Sequence, residues 1–267
     1  ALNLLNWYAR YTTQKNQFRN IETGLQTYEF DYGEYPDSGA LDTAGDPYCG
    51  AMKLAEAMAG QDGLGFHPDS KFTADDGGTD VDALYPTFID VPAYYENLKK
   101  RKEYLEPKDV QLSSLTGLYG TNVGEFPYPD EVSLLCDAYK HTEIRNSKGT
   151  KLGMPILYYK ADPSKLLHDA DPTKIVDDIY NYTDNHDLLA LGLPWDPPAT
   201  PTIHPLYQDI YGNPPGYVFY EKTMDQSALP IQRPYNKNSY ILISAGGDGI
   251  FGTGGSLRTK DVFNFAD

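Results

Sequence analysis

The chain has 267 residues and a net charge of −16, from 22 Lys or Arg against 38 Asp or Glu. Its 40% apolar fraction is enough for a folded core and excludes a disordered chain. The acidic excess repels phosphate backbones and anionic membrane surfaces, which excludes nucleic acid as a partner. Tyrosine is the compositional outlier at 23 residues, beside 20 Pro and 24 Gly, as in a loop-rich domain with adhesive but soluble surfaces.

Taken in chain order, the first element is a long helix. Phe18, Ile21, Leu25 and Tyr28 fall at spacings of 3, 4 and 3 and make one apolar stripe, which Leu2, Leu5, Tyr8 and Thr12 extend upstream. The helix stops near Asp31-Tyr32-Gly33, where Gly supplies a left-handed cap, and Pro36 forbids its resumption. At 1.5 Å per residue it is about 45 Å long, a length suited to assembly. A second helix is expected over 47–60, capped by Asp46 with Pro47 in its first turn and Met52, Ala55, Met58 and Ala59 on one face. Residues 61–82 read as an acidic, Gly-rich loop. The segment 94–105 reads as a helix whose Lys99-Lys100-Arg101-Lys102 run is a solvated face.

Strand patterns dominate the later chain. Residues 142–145 and 155–161 flank the turn Asn146-Ser147-Lys148-Gly149 as a hairpin would, and 216–222 and 240–245 are further short strands rich in Tyr, Val, Phe and Ile. Residues 175–191 look helical, and 193–215 form a Pro-rich excursion. The order is α+β: a long N-terminal helix packed on a small antiparallel sheet, with a loop-rich, partly helical insertion. We expect a single domain over 1–267, with the helix at 1–33, insertions at 61–135 and 162–215, and C-terminal strands and loop at 216–267.

Few residues combine into chemistry. Gly247-Asp248-Gly249-Ile250-Phe251-Gly252 satisfies G-x-G-x-x-G, yet no helix, further strand or acidic ribose ligand follows it at dinucleotide spacing, and Asp248 would oppose a pyrophosphate. The five histidines, His67, His141, His168, His186 and His204, are dispersed and read as surface or turn residues. No G-x-S-x-G elbow is present, and no catalytic residue is nominated. Cys49 and Cys136 are the two cysteines; they allow one disulfide across a long loop, without a Cys-x-x-Cys motif. Hard cations want carboxylate and loop-carbonyl oxygens, and two loops offer them. One is Asp75–Asp82, whose spacing fails the EF-hand pattern. The other is the Gly-rich loop from Asp248 to Asp261.

Three pieces together resemble the pseudopilins of type II secretion and related type IV pilin-like proteins. The first is 21–36, an acidic, Leu- and Tyr-bearing helix end running into Asp31-Tyr32-Gly33-Glu34-Tyr35-Pro36. The second is Gly153-Met154-Pro155-Ile156-Leu157-Tyr158-Tyr159, similar to the family's strand after a W-G-N-P-type turn. The third is the strand and loop 240–253, with 261–265 after it, which looks like the closing strand and S-x-G-x-D-G loop of major pseudopilins.

The resemblance implies a helical spine on an antiparallel sheet and self-assembly into a helical filament through the N-terminal helix, together with minor pseudopilins and the secretion machinery. It also implies a periplasmic, inner-membrane-anchored protein whose hydrophobic N-terminal segment lies just before residue 1. By position, Asp248 and Asp261 are the expected Ca2+ ligands. The resulting expectation is a non-enzymatic filament subunit with a calcium-ordered C-terminal loop. The alternative is a cell-surface or periplasmic protein that binds a glycan or peptide through Trp195-Asp196-Pro197-Pro198 and the Tyr-rich stretch 207–217.

Overall fold

The computed structural model describes residues 2–78, 83–86, 92–106, 109–145, 149–169, 171, 174–197, 199–208, 212–228, 230, 232–254 and 260–265. Helix α1 spans Leu2–Tyr32, 31 residues, and its expected stripe is its buried face: Phe18, Ile21, Leu25 and Tyr28 are all at most 5% exposed. Gly33 ends it in the left-handed conformation, its N–H donating to the Glu29 carbonyl at 2.7 Å. Gly24 lets α1 approach its neighbour closely, because a Cβ there would lie 2.7 Å from the Tyr104 carbonyl oxygen and 2.8 Å from Met58 Sδ. The first turns behave differently. Leu4, Leu5 and Tyr8 are 60–66% exposed, while Trp7, stacked on Tyr139, and Tyr11 are half-buried.

Three strands form the central sheet: β5 (Leu157–Lys160), β6 (Tyr240–Ser244) and β7 (Val262–Phe263), antiparallel in the order β5-β6-β7. Leu157 pairs with Ile243 and Lys160 with Tyr240, while Ser244 pairs with Val262. Every residue of β6 is buried, and its alternation divides the core in two. Tyr240 and Leu242 meet the α1 stripe, whereas Ile241 and Ile243 face a second cluster containing Leu188, Leu189, Phe219 and Phe251. The result is α+β, with the long helix on one face of the sheet and the late-chain segments on the other, an arrangement compatible with a pilin-like fold.

Helix α2 (Gly50–Ala59) is buried at all ten positions and contributes to both clusters. Two short pairs, β1 (Gly77–Gly78) with β2 (Tyr85–Pro86) and β3 (Gln111–Ser114) with β4 (Ser133–Cys136), complete the strands, and α3 (Pro92–Leu98) and α4 (Leu115–Tyr119) lie between them. Strand β4 joins the main sheet through the Cys136–Pro155 bridge and the Ile156 N–H on the Leu135 carbonyl. The open edge of β5 is closed by side chains. Buried Asn185 donates from Nδ2 to the Tyr158 carbonyl at 2.8 Å and accepts the Ala51 N–H at 2.8 Å, and Ser38 Oγ accepts the Lys160 N–H. Among the described residues no helix is long and apolar enough to cross a membrane.

Several elements differ from expectation. The second helix starts at Gly50, because Pro47 and Tyr48 are held extended by the Leu41–Pro47 bridge and the Tyr48–Ala40 hydrogen bond, and Asp46 caps nothing. Residues 216–222, expected as strand, fall instead on helix α6 (Tyr217–Thr223) and its N-cap Gly216. A four-residue apolar run fits either period, and the helix wins because Val218, Phe219, Tyr220 and Thr223 are buried together while Tyr220 Oη reaches Asp178 at 2.6 Å.

The expected helix over 175–191 is broken. Asp178 is extended and bridged to Leu167, leaving 3-10 turns at Ile175–Asp177 and Tyr182–Asn185 before α5 (His186–Ala190). The hairpin reduces to one bridge, Arg145 with Lys151, because β5 pairs with β6 instead; Asn146, Ser147 and Lys148 lie outside the described residues.

Lys99, Lys100 and Lys102 of the basic run are exposed as expected, but the run lies past helix α3 and Arg101 is not solvated. The Arg101 side chain is buried against Asp62 and the Leu84 carbonyl and stacked over Tyr85, while Lys102 pairs with Asp31. Cys49 and Cys136 are both free and buried. Four of the five histidines are buried rather than superficial. In a loop-rich domain a neutral imidazole serves as acceptor for loop amides: His67 Nδ1 takes the Asp69 N–H, and burial pushes His141, His168 and His204 down to about 4.

Replacing Asn185 by Ala leaves the Tyr158 carbonyl and the Ala51 N–H buried without these partners, a cost of about 2–3 kcal/mol. Thermal melting should fall by roughly 4–6 °C for a chain of this size. An unchanged midpoint would mean that the α2–β5 junction does not rest on this clamp.

Candidate functional site

The three motif pieces meet in the fold. Tyr35, in the exit from α1, packs edge-on against Tyr240 at 4.8 Å, and the Pro36 carbonyl accepts from Tyr158 Oη at 2.8 Å. The end of β6 is set by Asp137. Its carboxyl oxygens accept the Ser244 hydroxyl at 2.7 Å and the Tyr139 N–H at 3.0 Å, and Ser244 Oγ accepts the Gly246 N–H. From α1, Gln17 donates to the Cys136 carbonyl and Gln14 accepts the Ala138 N–H, so the helix holds both residues beside Asp137.

The loop after β6 closes on itself through the two carboxylates named from sequence. Asp248 Oδ1 accepts the Ile250 N–H at 3.1 Å, and Oδ2 accepts the Thr253 hydroxyl at 3.2 Å. Asp261 Oδ2 accepts the Gly252 N–H at 3.0 Å. Gly252 sits at φ 94°, and a Cβ there would meet the Leu206 nitrogen at 2.5 Å. The loop is docked on the insertion by Phe251, whose N–H donates to His204 Nδ1 at 3.1 Å and whose carbonyl accepts the Leu206 N–H. The structure thus brings Asp248 and Asp261 to one loop. It also adds two residues that the sequence reading missed. His204 was read as a turn residue. Lys222 lay in a segment taken for a strand, with nothing local to connect it to a loop 26 positions on.

Lys222, in the last turn of α6, donates from Nζ to the Thr253 carbonyl at 2.6 Å and lies 3.5 Å from Asp261 Oδ2. Asp261 is 0% exposed, and burial pushes its carboxyl well above the ordinary range against the opposing pull of Lys222 and the Gly252 N–H. Burial raises Asp248 as well, opposed by its loop hydrogen bonds and more weakly by Lys222. Asp261 Oδ1 is buried and, among the described residues, without a hydrogen-bond partner.

In kind, these donors fit a hard cation: two carboxylates, one with an unused buried oxygen, beside the Thr253 and Ile250 carbonyls. Among the described residues no group of three or more His, Cys, Asp or Glu converges on one point, so backbone oxygens would complete any such shell. The other acidic loop is described only at 75–78, where Asp76 is half-buried; Asp80 and Asp82 lie outside the described residues.

Of the aromatic residues of the alternative reading, Trp195 and Tyr207 are engaged in packing, Tyr217 is exposed and Tyr211 lies outside the described residues. The Trp195 ring lies 5.1 Å from that of His141 and covers Gly249, and Tyr207 stacks on His186 at 4.3 Å. An open groove of about 600 Å³ lies elsewhere, lined by Glu34, Ser38, Lys160, Asp162 and Asp178, and Tyr35 is its single aromatic. Comparison with known protein families, curated proteins and solved structures finds no match to this chain.

Burial lifts Asp137 to about 8, so its carboxyl stays protonated in the fold while it ionises in the unfolded chain above about pH 4. Its contribution is complete below that pH and is lost as pH rises towards 8, at about 1 kcal/mol per pH unit. Melting Asp137→Asn beside the parent from pH 5 to 8 should show the parent losing stability relative to the variant. Parallel curves would contradict a protonated Asp137.

Proposed function

We propose that this protein is a structural subunit of a pseudopilus or type IV pilus-like filament, serving protein secretion at the cell envelope and carrying no catalytic activity. The observation that carries the reading is the division of α1: one stripe from Phe18 to Tyr28 seats the helix on the sheet, while Leu4, Leu5 and Tyr8 remain exposed. Exposed apolar side chains on a helix that extends past its own core mark an interaction surface. In the family that this chain resembles, that surface is the spine contact between successive subunits, made together with minor pseudopilins and the secretion machinery. Anchoring to the inner membrane through a preceding hydrophobic segment, and a periplasmic head, follow from the same resemblance.

Introducing Cys at Leu5 or Tyr8 in cells producing the protein tests the spine contact. Oxidation should yield covalent dimers in each single variant, and higher ladders when Leu5 and Tyr8 are both replaced by Cys. The native thiols are buried, with Cys49 pushed up to about 12 by burial, so they stay silent. Monomer alone, from thiols that still react with maleimide, would contradict assembly through α1.

Calcium is the second part of the proposal, with Asp248 and Asp261 as ligands that order the C-terminal loop. A ligand at 100 times its dissociation constant adds about 2.7 kcal/mol of stability. Melting should therefore rise by several degrees in millimolar calcium over EGTA, and Asp248→Ala should abolish the rise. Equal melting of the parent in both conditions would remove the metal and leave the filament reading on α1.

A further inference from the structure

We propose that Lys222 is a built-in cation that competes with a divalent ion for the Asp248–Asp261 cradle, closing the loop when the ion is absent and leaving when it binds. The inference rests on the calcium reading of that cradle and adds the group that regulates it. Asp261 has no exposed surface, and a buried carboxylate is tolerated only when a cation or donors meet it. Among the described residues, Lys222 is the cation in contact with it, at 3.5 Å.

The same ammonium holds the Thr253 carbonyl at 2.6 Å, an oxygen of the kind a calcium shell would use. Thr253 in turn donates to Asp248, so Nζ ties together the backbone and both carboxylates of the loop. A divalent ion taking the Thr253 carbonyl and Asp261 would stand within a few ångströms of Nζ, and like charges at that distance repel strongly in a partly buried site. The charges also decide between the two occupants. With both carboxyls ionised, two carboxylates and one ammonium leave a net −1; two carboxylates and Ca2+ are neutral; all three together carry +1. The stem of Lys222 allows the exchange, because its side chain is 21% exposed and a four-carbon chain can swing its head to water.

The experiment titrates the full chain with calcium alone, by calorimetry, in the parent, Lys222→Met and Lys222→Arg. Removing the charge should tighten calcium binding at least tenfold and lower the melting midpoint in EGTA, while Arg should do neither. Lysine acetylation mapped by mass spectrometry on the parent provides a test independent of variant folding: Lys222 should be protected in EGTA and become reactive in calcium. Parent and Met variant binding calcium equally, or Lys222 reactivity indifferent to calcium, would overturn the competition and leave the calcium site standing. Failure of both proteins to bind would overturn the site itself, and the competition with it.

Discussion

Strand β6 is buried at all five positions, and a strand with two apolar faces needs a layer on each. On one side, Tyr240 and Leu242 take the α1 stripe. On the other, Ile241 and Ile243 recruit Leu188, Leu189 and Phe219 from segments far apart in the chain. This constraint accounts for the packing of residues 188–193 and 219–220 over the sheet. It also fixes where the C-terminal loop emerges: beyond Ser244, between the end of β6 and the insertion layer, within reach of both His204 and Lys222.

Several charged groups drawn into this arrangement find specific partners. Glu56, in the fully buried α2, accepts from Tyr48 and Ser70 at 2.5 Å each and is lifted to about 7 by burial. Lys53 pairs with Asp37 at 2.5 Å and donates to the Leu41 carbonyl. Asp184, lifted to about 8 by burial, accepts from Ser38. A chain with net charge −16 gains by keeping such carboxyls protonated or bonded to hydroxyls. Asp261 has one oxygen shared between Lys222 and a backbone amide, while the other has no partner among the described residues, as is also true of Asp76 Oδ2 and Gln61 Oε1. What sets Asp261, in a loop, apart from Glu56 and Asp184 is its contact with a lysine rather than with hydroxyls.

What the sequence made legible was whatever depends on local order. The spacing of Phe18, Ile21, Leu25 and Tyr28, with Gly33 and Pro36 beyond, defined the first helix and its exit, and the unbroken run 240–245 defined the central strand. The two candidate carboxylates were visible because both lie in the Gly-rich loop. What escaped depends on tertiary partners. Helix α6 was hidden because a short Tyr-Val-Phe-Tyr run has no period of its own, and with it went Lys222. The buried histidines carry no local signal, since an imidazole accepting the Phe251 N–H resembles any turn histidine in sequence. Arg101 sat in a run that reads as solvated, and only the folded chain sets Asp62, Leu84 and Tyr85 around it.

The central claim is that α1 has two jobs along its length, seating the sheet over 17–28 and meeting other subunits over 4–13. Hydrogen exchange on peptides from these two stretches, in the isolated protein and in filaments recovered from the envelope, tests it directly. The account predicts that 17–28 is slow in both states, whereas 4–13 exchanges quickly in the isolated protein and becomes slow on assembly. Exchange over 4–13 that stays equally fast in the filament would contradict it.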